Sequence, residues 1–127
     1  MNTEKVVFAF FILSALTLNF GFFVGDIGDP AHHHPVELFA ALVVSLIATI
    51  LKFGDRSQLG AVLLASSLVA DLQLIVAVIL WAWATNISGT GMDNSVMSSI
   101  VSLSGGALVA NSVSVILLIF ETTLFRR

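Results

Sequence analysis

Short polar clusters divide this chain into four long apolar runs. The runs cover about residues 5–25, 36–53, 59–84 and 96–125. A helix needs about 20 residues to cross the hydrocarbon core of a bilayer, and three of the runs reach that length easily. Because lipid offers no partners to unpaired backbone groups, the runs predict helices rather than isolated strands. We therefore predict an all-α membrane protein, a four-transmembrane-helix bundle in a single domain, residues 1–127.

The first two runs allow other interpretations. The first run follows Lys5 and has features of a signal peptide, but it is too long, and Asn19–Phe23 is no small-residue cleavage site. We therefore predict an uncleaved helix. The second run is the weakest span, because Glu37 and Lys52 must extend from its ends towards the membrane interfaces. A re-entrant second segment, which leaves three full crossings, is the alternative.

The basic residues predict an orientation. If the N-terminus lies inside, all the lysines and arginines fall on the cytoplasmic side, and the two outer loops carry none. These residues are Lys5, Lys52, Arg56, Arg126 and Arg127. By the positive-inside rule, both the N-terminus and the C-terminus are then cytoplasmic. Trp81 and Trp83 fall at the outer end of the third helix, where membrane proteins carry an aromatic belt.

The composition agrees with a membrane protein and excludes several functions. Hydrophobic residues make up 57% of the chain and charged residues only 10%, against roughly 25% charged in soluble domains. The chain has no cysteine, which excludes disulfides, thiol chemistry and cysteine-ligated metals. It has no phosphate-binding, dinucleotide-binding or nucleophile motif, and no basic, aromatic surface for nucleic acid. We therefore predict a protein that is no enzyme and binds no nucleic acid, and the sequence indicates no particular cofactor.

Asp71 is the residue that membrane burial alone does not explain. It falls near the middle of the third run, where a charge costs at least about 3 kcal/mol. Ser67 lies one turn earlier on the same face, and Asn111 of the fourth helix falls at a similar depth, so these three residues are predicted to form a polar cluster. Glu121 is predicted near the inner exit. In one interpretation Asp71 is neutral and donates a hydrogen bond to another helix. In the other it binds and releases a proton or a small cation in a water-accessible cavity.

The outer side is predicted to be acidic. Four acids and no basic residue fall there: Asp26, Asp29, Glu37 and Asp93. Such an outer vestibule concentrates cations. Three consecutive histidines, His32, His33 and His34, are candidate metal ligands, with Asp29 and Glu37 as oxygen donors. Consecutive residues do not readily direct three rings at one ion. A solvated loop between two prolines is therefore the alternative, and the histidines then make the outer face sensitive to pH.

Small residues follow helical spacing along three of the runs, which marks helix–helix contacts in membranes. Gly21 and Gly25 form such a pair in the first helix, and Gly105 and Gly106 permit close approach or a local bend in the fourth. In the second helix a stripe runs from Glu37 through Ala41, Ser45 and Ala48 to Lys52. Four helices enclose little space, and several of these faces need partners. We therefore predict a homo-oligomer or a complex with a partner membrane protein.

Several segments resemble an uncharacterised family of small bacterial inner-membrane proteins. They are the opening Met1–Phe8, Leu18–Phe23, Glu37–Val44, Leu51–Arg56 and Ala61–Leu74, so the resemblance covers roughly the first 80 residues. It implies the bacterial inner membrane and no particular activity. Small multidrug exporters have a similar length but carry an essential glutamate in helix one, which here has no acid in its membrane portion. The signatures of fluoride channels are absent.

Together, these features predict an oligomeric helical bundle that conducts or couples a small cation, either a proton or a monovalent metal ion. Asp71, Ser67, Asn111 and Glu121 are its predicted ion-binding or proton-coupling residues. The alternative is a non-conducting accessory subunit of a larger membrane ion-transport complex, in which Asp71 pairs with a partner helix. A membrane-embedded metalloenzyme that uses the histidines is a third interpretation.

Overall fold

The fold is known from a computed structural model, which describes residues 3–24, 33–55, 57–87 and 92–124. It has four α-helices in chain order: α1 (Thr3–Phe23), α2 (Pro35–Lys52), α3 (Gln58–Ala82) and α4 (Asn94–Leu124). A π-helical turn, Trp83–Ile87, continues α3. The described ranges contain no strand. The predicted all-α class with four helices is confirmed, and each helix begins one or two residues before its predicted start.

The starts of three helices follow from local capping chemistry. Pro35 occupies the first turn of α2 after an extended His34, a position where its fixed φ favours the helix and its missing N–H costs nothing. Ser57 precedes α3 and accepts a hydrogen bond from the Gly60 N–H at 2.9 Å. Asp93 precedes α4, and its Oδ1 accepts from the Val96 N–H at 2.8 Å. Both side chains satisfy backbone donors that the helix itself leaves unpaired.

The helices form a closed antiparallel bundle. Each packs against its neighbours in the chain, and α1 also packs against α4. Lys5 near the start of α1 pairs with Glu121 near the end of α4, whereas Asn19, near the end of α1, contacts Ser104. We call the end of the bundle that carries Lys5 and Lys52 the lysine end, and the end that carries His33 the histidine end.

Two adjacent glycines let side chains from both neighbours approach the α4 backbone. A Cβ atom at Gly105 would lie 2.8 Å from the ring of Phe23 on α1. One at Gly106 would lie 2.5 Å from the amide nitrogen of Gln73 on α3. These distances are too short for a real Cβ, so the two glycines allow close approach to two different neighbouring helices, Gly105 to α1 and Gly106 to α3.

The bundle is apolar outside and partly polar inside. Large apolar side chains are more than half exposed along the helices, among them Phe10, Ile50, Leu72 and Val109. By contrast, eight polar side chains are buried between the helices: Asn19, Ser45, Thr49, Ser67, Asp71, Ser104, Asn111 and Ser114. All four helices are long and apolar enough to cross a membrane, including the 18-residue α2. The chain is thus a small multi-pass membrane protein in contact with lipid.

Candidate functional site

The carboxyl group of Asp71 is held between α2 and α3. Asp71 lies on the inner face of α3 and is 4% exposed. The Ser45 hydroxyl lies 2.7 Å from its Oδ1, and the Thr49 hydroxyl lies 2.5 Å from its Oδ2. Ser45 and Thr49 are one turn apart on α2, so both hydroxyls point from the same helix face. Each carboxyl oxygen therefore has its own hydroxyl partner.

The partners predicted for Asp71 lie in the core but do not bond to it. Ser67 and Asn111 are fully buried. The Ser67 Oγ and both polar atoms of the Asn111 amide have no hydrogen-bond partner in the part of the chain that the structure describes. The hydrogen bonds of Asp71 instead come from α2.

Thr49 was not identified from the sequence, and Ser45 was identified only as part of a packing stripe. A threonine in an apolar run has no necessary partner on another helix, because its hydroxyl can bond the carbonyl one turn earlier. The Thr49 hydroxyl does lie 3.0 Å from the Ser45 carbonyl oxygen. The sequence feature from which Thr49 could have been identified is its spacing, because Ser45, Thr49 and Lys52 share the buried face of α2.

Two more polar pairs cross the core. Asn19 Nδ2 donates to the Ser104 carbonyl at 3.1 Å, and the Ser104 hydroxyl donates back to Asn19 Oδ1, which joins α1 to α4. The hydroxyls of Ser66 and Ser114 join α3 to α4 at 2.5 Å. The Asn19 pair lies towards the histidine end and the Ser66 pair towards the lysine end. Polar groups therefore continue on both sides of Asp71.

A cavity of about 580 Å³ opens at the lysine end. Lys52 lies beside it with Nζ 3.4 Å from Asp55 Oδ2 and 4.4 Å from the centre of the Phe8 ring. Lys5 Nζ lies 3.7 Å from Glu121 Oε1. The cavity is lined by Thr3, Glu4, Lys5, Val7, Phe8, Leu51, Lys52, Gly54, Asp55 and Glu121. Glu121 therefore lies at one end of the bundle, on a cavity, and is paired with a lysine.

Asp55 organises the turn between α2 and α3. The hydroxyl and the backbone N–H of Ser57 both donate to its Oδ1, at 2.7 and 2.9 Å. These two hydrogen bonds, with a smaller contribution from Lys52, hold the pKa of the Asp55 carboxyl below its usual value. The Asp55 carboxyl lies over Gly60, in the space that a Cβ would need. This turn forms one wall of the cavity.

Two of the four acids predicted for the outer vestibule belong to the described residues. Glu37 is half buried, with its carboxyl over Gly21, where the space that a Cβ would need is taken by Oε2. Asp93 is exposed and caps α4. Both carboxyls therefore have structural contacts of their own. Asp26 and Asp29 lie outside the described residues, as do Arg56, Arg126 and Arg127.

The histidines do not share one environment. His33 is 1% exposed, and its Nδ1–H donates to the Phe22 carbonyl near the end of α1. Its ring centre lies 5.4 Å from that of Phe22. His34 is exposed and precedes α2, and His32 lies outside the described residues. Among the residues that the structure describes, no three His, Asp or Glu side chains are close enough to hold a metal ion together.

Comparison with known proteins gives a family without an assigned activity. No curated protein and no solved structure matches the chain. One family model does match, a family of unknown function designated DUF6394, over residues 32–122. The matched range includes all of α2 and α3 and nearly all of α4, and so contains Ser45, Thr49 and Asp71. The expected resemblance to an uncharacterised family is confirmed, and the chain belongs to DUF6394.

Proposed function

We propose that this protein conducts or couples a small cation across the membrane, and that Asp71 binds and releases that cation. The observation that carries the proposal is the position of Asp71: it is buried near the middle of a membrane-spanning helix and has a hydroxyl on each carboxyl oxygen. An acid at that depth is costly, and acids kept there commonly mark ion or proton pathways.

Buried polar groups lie beside Asp71 on the way to the lysine end of the bundle. The α3–α4 contacts at Ser66–Ser114 and Gln73–Gly106 bracket the segment that carries Asp71 and Asn111. In this segment the Ser67 hydroxyl and the Asn111 amide are buried. Buried polar groups normally obtain partners, and internal water is the usual one where protein provides none. Hydrated Ser67 and Asn111 would extend a route from Asp71 towards the cavity at the lysine end.

The described walls of the cavity carry more carboxyl groups than lysines. Its walls carry three carboxyl side chains, Glu4, Asp55 and Glu121, against the two lysines. Each lysine is paired with one of these carboxyls: Lys5 with Glu121, and Lys52 with Asp55. The third carboxyl, that of Glu4, is a local negative group that a cation meets as it enters or leaves the cavity. Under the positive-inside rule the lysine end is cytoplasmic, which places both termini inside, and we propose the bacterial inner membrane as the location.

Ion flux through purified protein in liposomes tests this function. We expect wild-type protein to pass a cation and Asp71→Asn to lose most of that flux. Leu72→Ala is the matched control, because Leu72 is the next residue on α3 but is 64% exposed towards lipid. This control should keep wild-type flux. Equal flux from wild type and Asp71→Asn would remove Asp71 from the mechanism, and no flux from wild type would reject the function.

The alternative is an accessory subunit of an ion-transport complex, in which Asp71 was expected to pair with a partner helix. In the structure its hydrogen bonds are made within the chain, to α2, and its side chain is nearly inaccessible. An accessory role therefore has to use the lipid-facing surfaces. Absence of flux together with a stable complex with another membrane protein would favour that role. In neither case do we propose an enzymatic activity.

A further inference from the structure

The Thr49 hydroxyl lies between two acceptors but carries only one hydrogen. Its Oγ1 is 3.0 Å from the Ser45 carbonyl oxygen and 2.5 Å from Asp71 Oδ2. A hydroxyl group has one donor hydrogen and two acceptor lone pairs. Thr49 therefore cannot donate to both oxygens at the same time. For both contacts to be hydrogen bonds at once, one of them needs a hydrogen from elsewhere, and Asp71 is the group that can supply it.

A proton on Asp71 completes the network. With that proton on Oδ2, Asp71 donates to Thr49, and Thr49 donates to the Ser45 carbonyl. The Ser45 hydroxyl donates to the other carboxyl oxygen, Oδ1, at 2.7 Å. Three hydrogens then have three acceptors. No charge is left in the membrane interior, where a charge is costly.

The same backbone also accommodates the ionised acid. After the proton leaves, the Thr49 hydroxyl turns about its C–O bond and donates to Oδ2, while Ser45 continues to donate to Oδ1. The Ser45 carbonyl still accepts the helical hydrogen bond from the backbone N–H one turn further along α2. Uptake and release of a proton therefore require the rotation of one hydroxyl group and no movement of a helix.

A metal ion fits this arrangement less well. A dehydrated alkali ion needs several oxygen ligands that replace its water shell, and here each carboxyl oxygen already has a hydroxyl partner. No other ionisable group lies near the middle of the described bundle. Lys52, on the same face of α2, is directed at Asp55 and Phe8. The buried polar side chains of α4, which are Ser104, Asn111 and Ser114, are uncharged, and the buried face of α1 has no ionisable side chain.

We propose that the cation held at Asp71 is a proton, and that Thr49 is a positioning residue whose hydroxyl exchanges donor and acceptor roles as that proton binds and leaves. The inference names the ion of the proposed function, and so rests on it for its biological role. The proton site itself can be observed whether or not ions cross the membrane.

Infrared difference spectroscopy of the protein in lipid tests the site directly. We expect the C=O stretch of a protonated carboxyl at neutral pH, and we expect Asp71→Asn to remove it. Thr49→Val removes the acceptor and should shift the band to higher frequency, whereas Thr49→Ser keeps the hydroxyl and should leave the band in place. Thr17→Val is the control, because Thr17 also bonds a backbone carbonyl but lies on α1 and is exposed.

Two results would overturn the proton site: no protonated-carboxyl band, or a band that neither Thr49→Val nor Asp71→Asn changes. If Thr49→Val does not fold, the comparison of Asp71→Asn with Thr49→Ser still tests the assignment.

Measurements of ion flux separate this inference from the proposed function. Sodium or potassium flux at constant pH that requires Asp71 would support the function and reject the proton. A Thr49-sensitive band without flux of any ion would support the proton site and reject the function.

Discussion

At the level of single residues, asparagine at position 71 offers the same donor and acceptor as a protonated aspartic acid. It accepts from Ser45 and donates to Thr49, so Asp71→Asn should change the free energy of unfolding by less than about 1 kcal/mol if the acid is protonated. Asp71→Ala removes both contacts and leaves space between α2 and α3, so we expect a loss of about 1–3 kcal/mol. Unfolding in detergent micelles at neutral pH measures both values.

The comparison of the two variants also reports the charge of Asp71. An ionised Asp71 would accept hydrogen bonds from both hydroxyls. The amide nitrogen of an asparagine in the same place donates, so it could not replace the carboxyl oxygen that accepts from Thr49. If Asp71→Asn is as unstable as Asp71→Ala, the protonated state is rejected. Leu72→Ala again serves as the control, since it changes a lipid-facing side chain on the same helix turn.

At the level of the helices, Asp55 and Ser57 connect α2 to α3 through a capping turn whose stability should depend on pH. The pKa of Asp55 is below its usual value in the folded protein. Its hydrogen bonds from Ser57 are therefore present in full above the unfolded pKa of about 3.9, and are lost as the pH falls through the lower, folded value. Wild-type stability should decrease in acid below about pH 4.

Removal of the titrating group identifies this contribution. Asp55→Asn should flatten the acid dependence, and Ser57→Ala should cost about 0.5–2 kcal/mol at neutral pH because the α3 cap is lost. Stability measured in micelles between about pH 3 and pH 6 provides the test. An unchanged acid slope in Asp55→Asn would assign the dependence to another carboxyl.

The helices themselves were predictable because lipid requires long apolar runs, and those runs stand out from the polar clusters between them. Asp71 was identified for the same reason, as an acid inside such a run. Its partners were not identified, because the register between α2 and α3 depends on how their side chains pack and not on the composition of either helix. Likewise, Glu121 was expected near one exit, but its ion pair with Lys5 requires α1 to lie beside α4.

At the level of the whole molecule, polar groups on both sides of Asp71 lie inside a single closed bundle. A route inside one chain does not require a pore between copies, even if the protein assembles into the homo-oligomer that its length suggested. The two arrangements differ when wild-type and Asp71→Asn chains are mixed before reconstitution. If each bundle conducts alone, flux should fall in proportion to the mutant fraction. A shared pore should lose flux more steeply, and the purified oligomer measured in the same samples shows whether chains have mixed.

The orientation of the molecule is open to a clean labelling experiment because the chain has no cysteine. Gln58 and Ser95 are both exposed, at the starts of α3 and α4 and so at opposite ends of the antiparallel bundle. A membrane-impermeant thiol reagent added to intact cells should label Ser95→Cys, and should label Gln58→Cys only after the cells are opened. The expectation follows from Lys5 and Lys52, which lie at the end of the bundle that carries Gln58. The reverse pattern would place the lysine end outside. Labelling of both variants in intact cells would indicate chains inserted in both directions. The cavity at the lysine end would then open to the outside in some chains and to the inside in others.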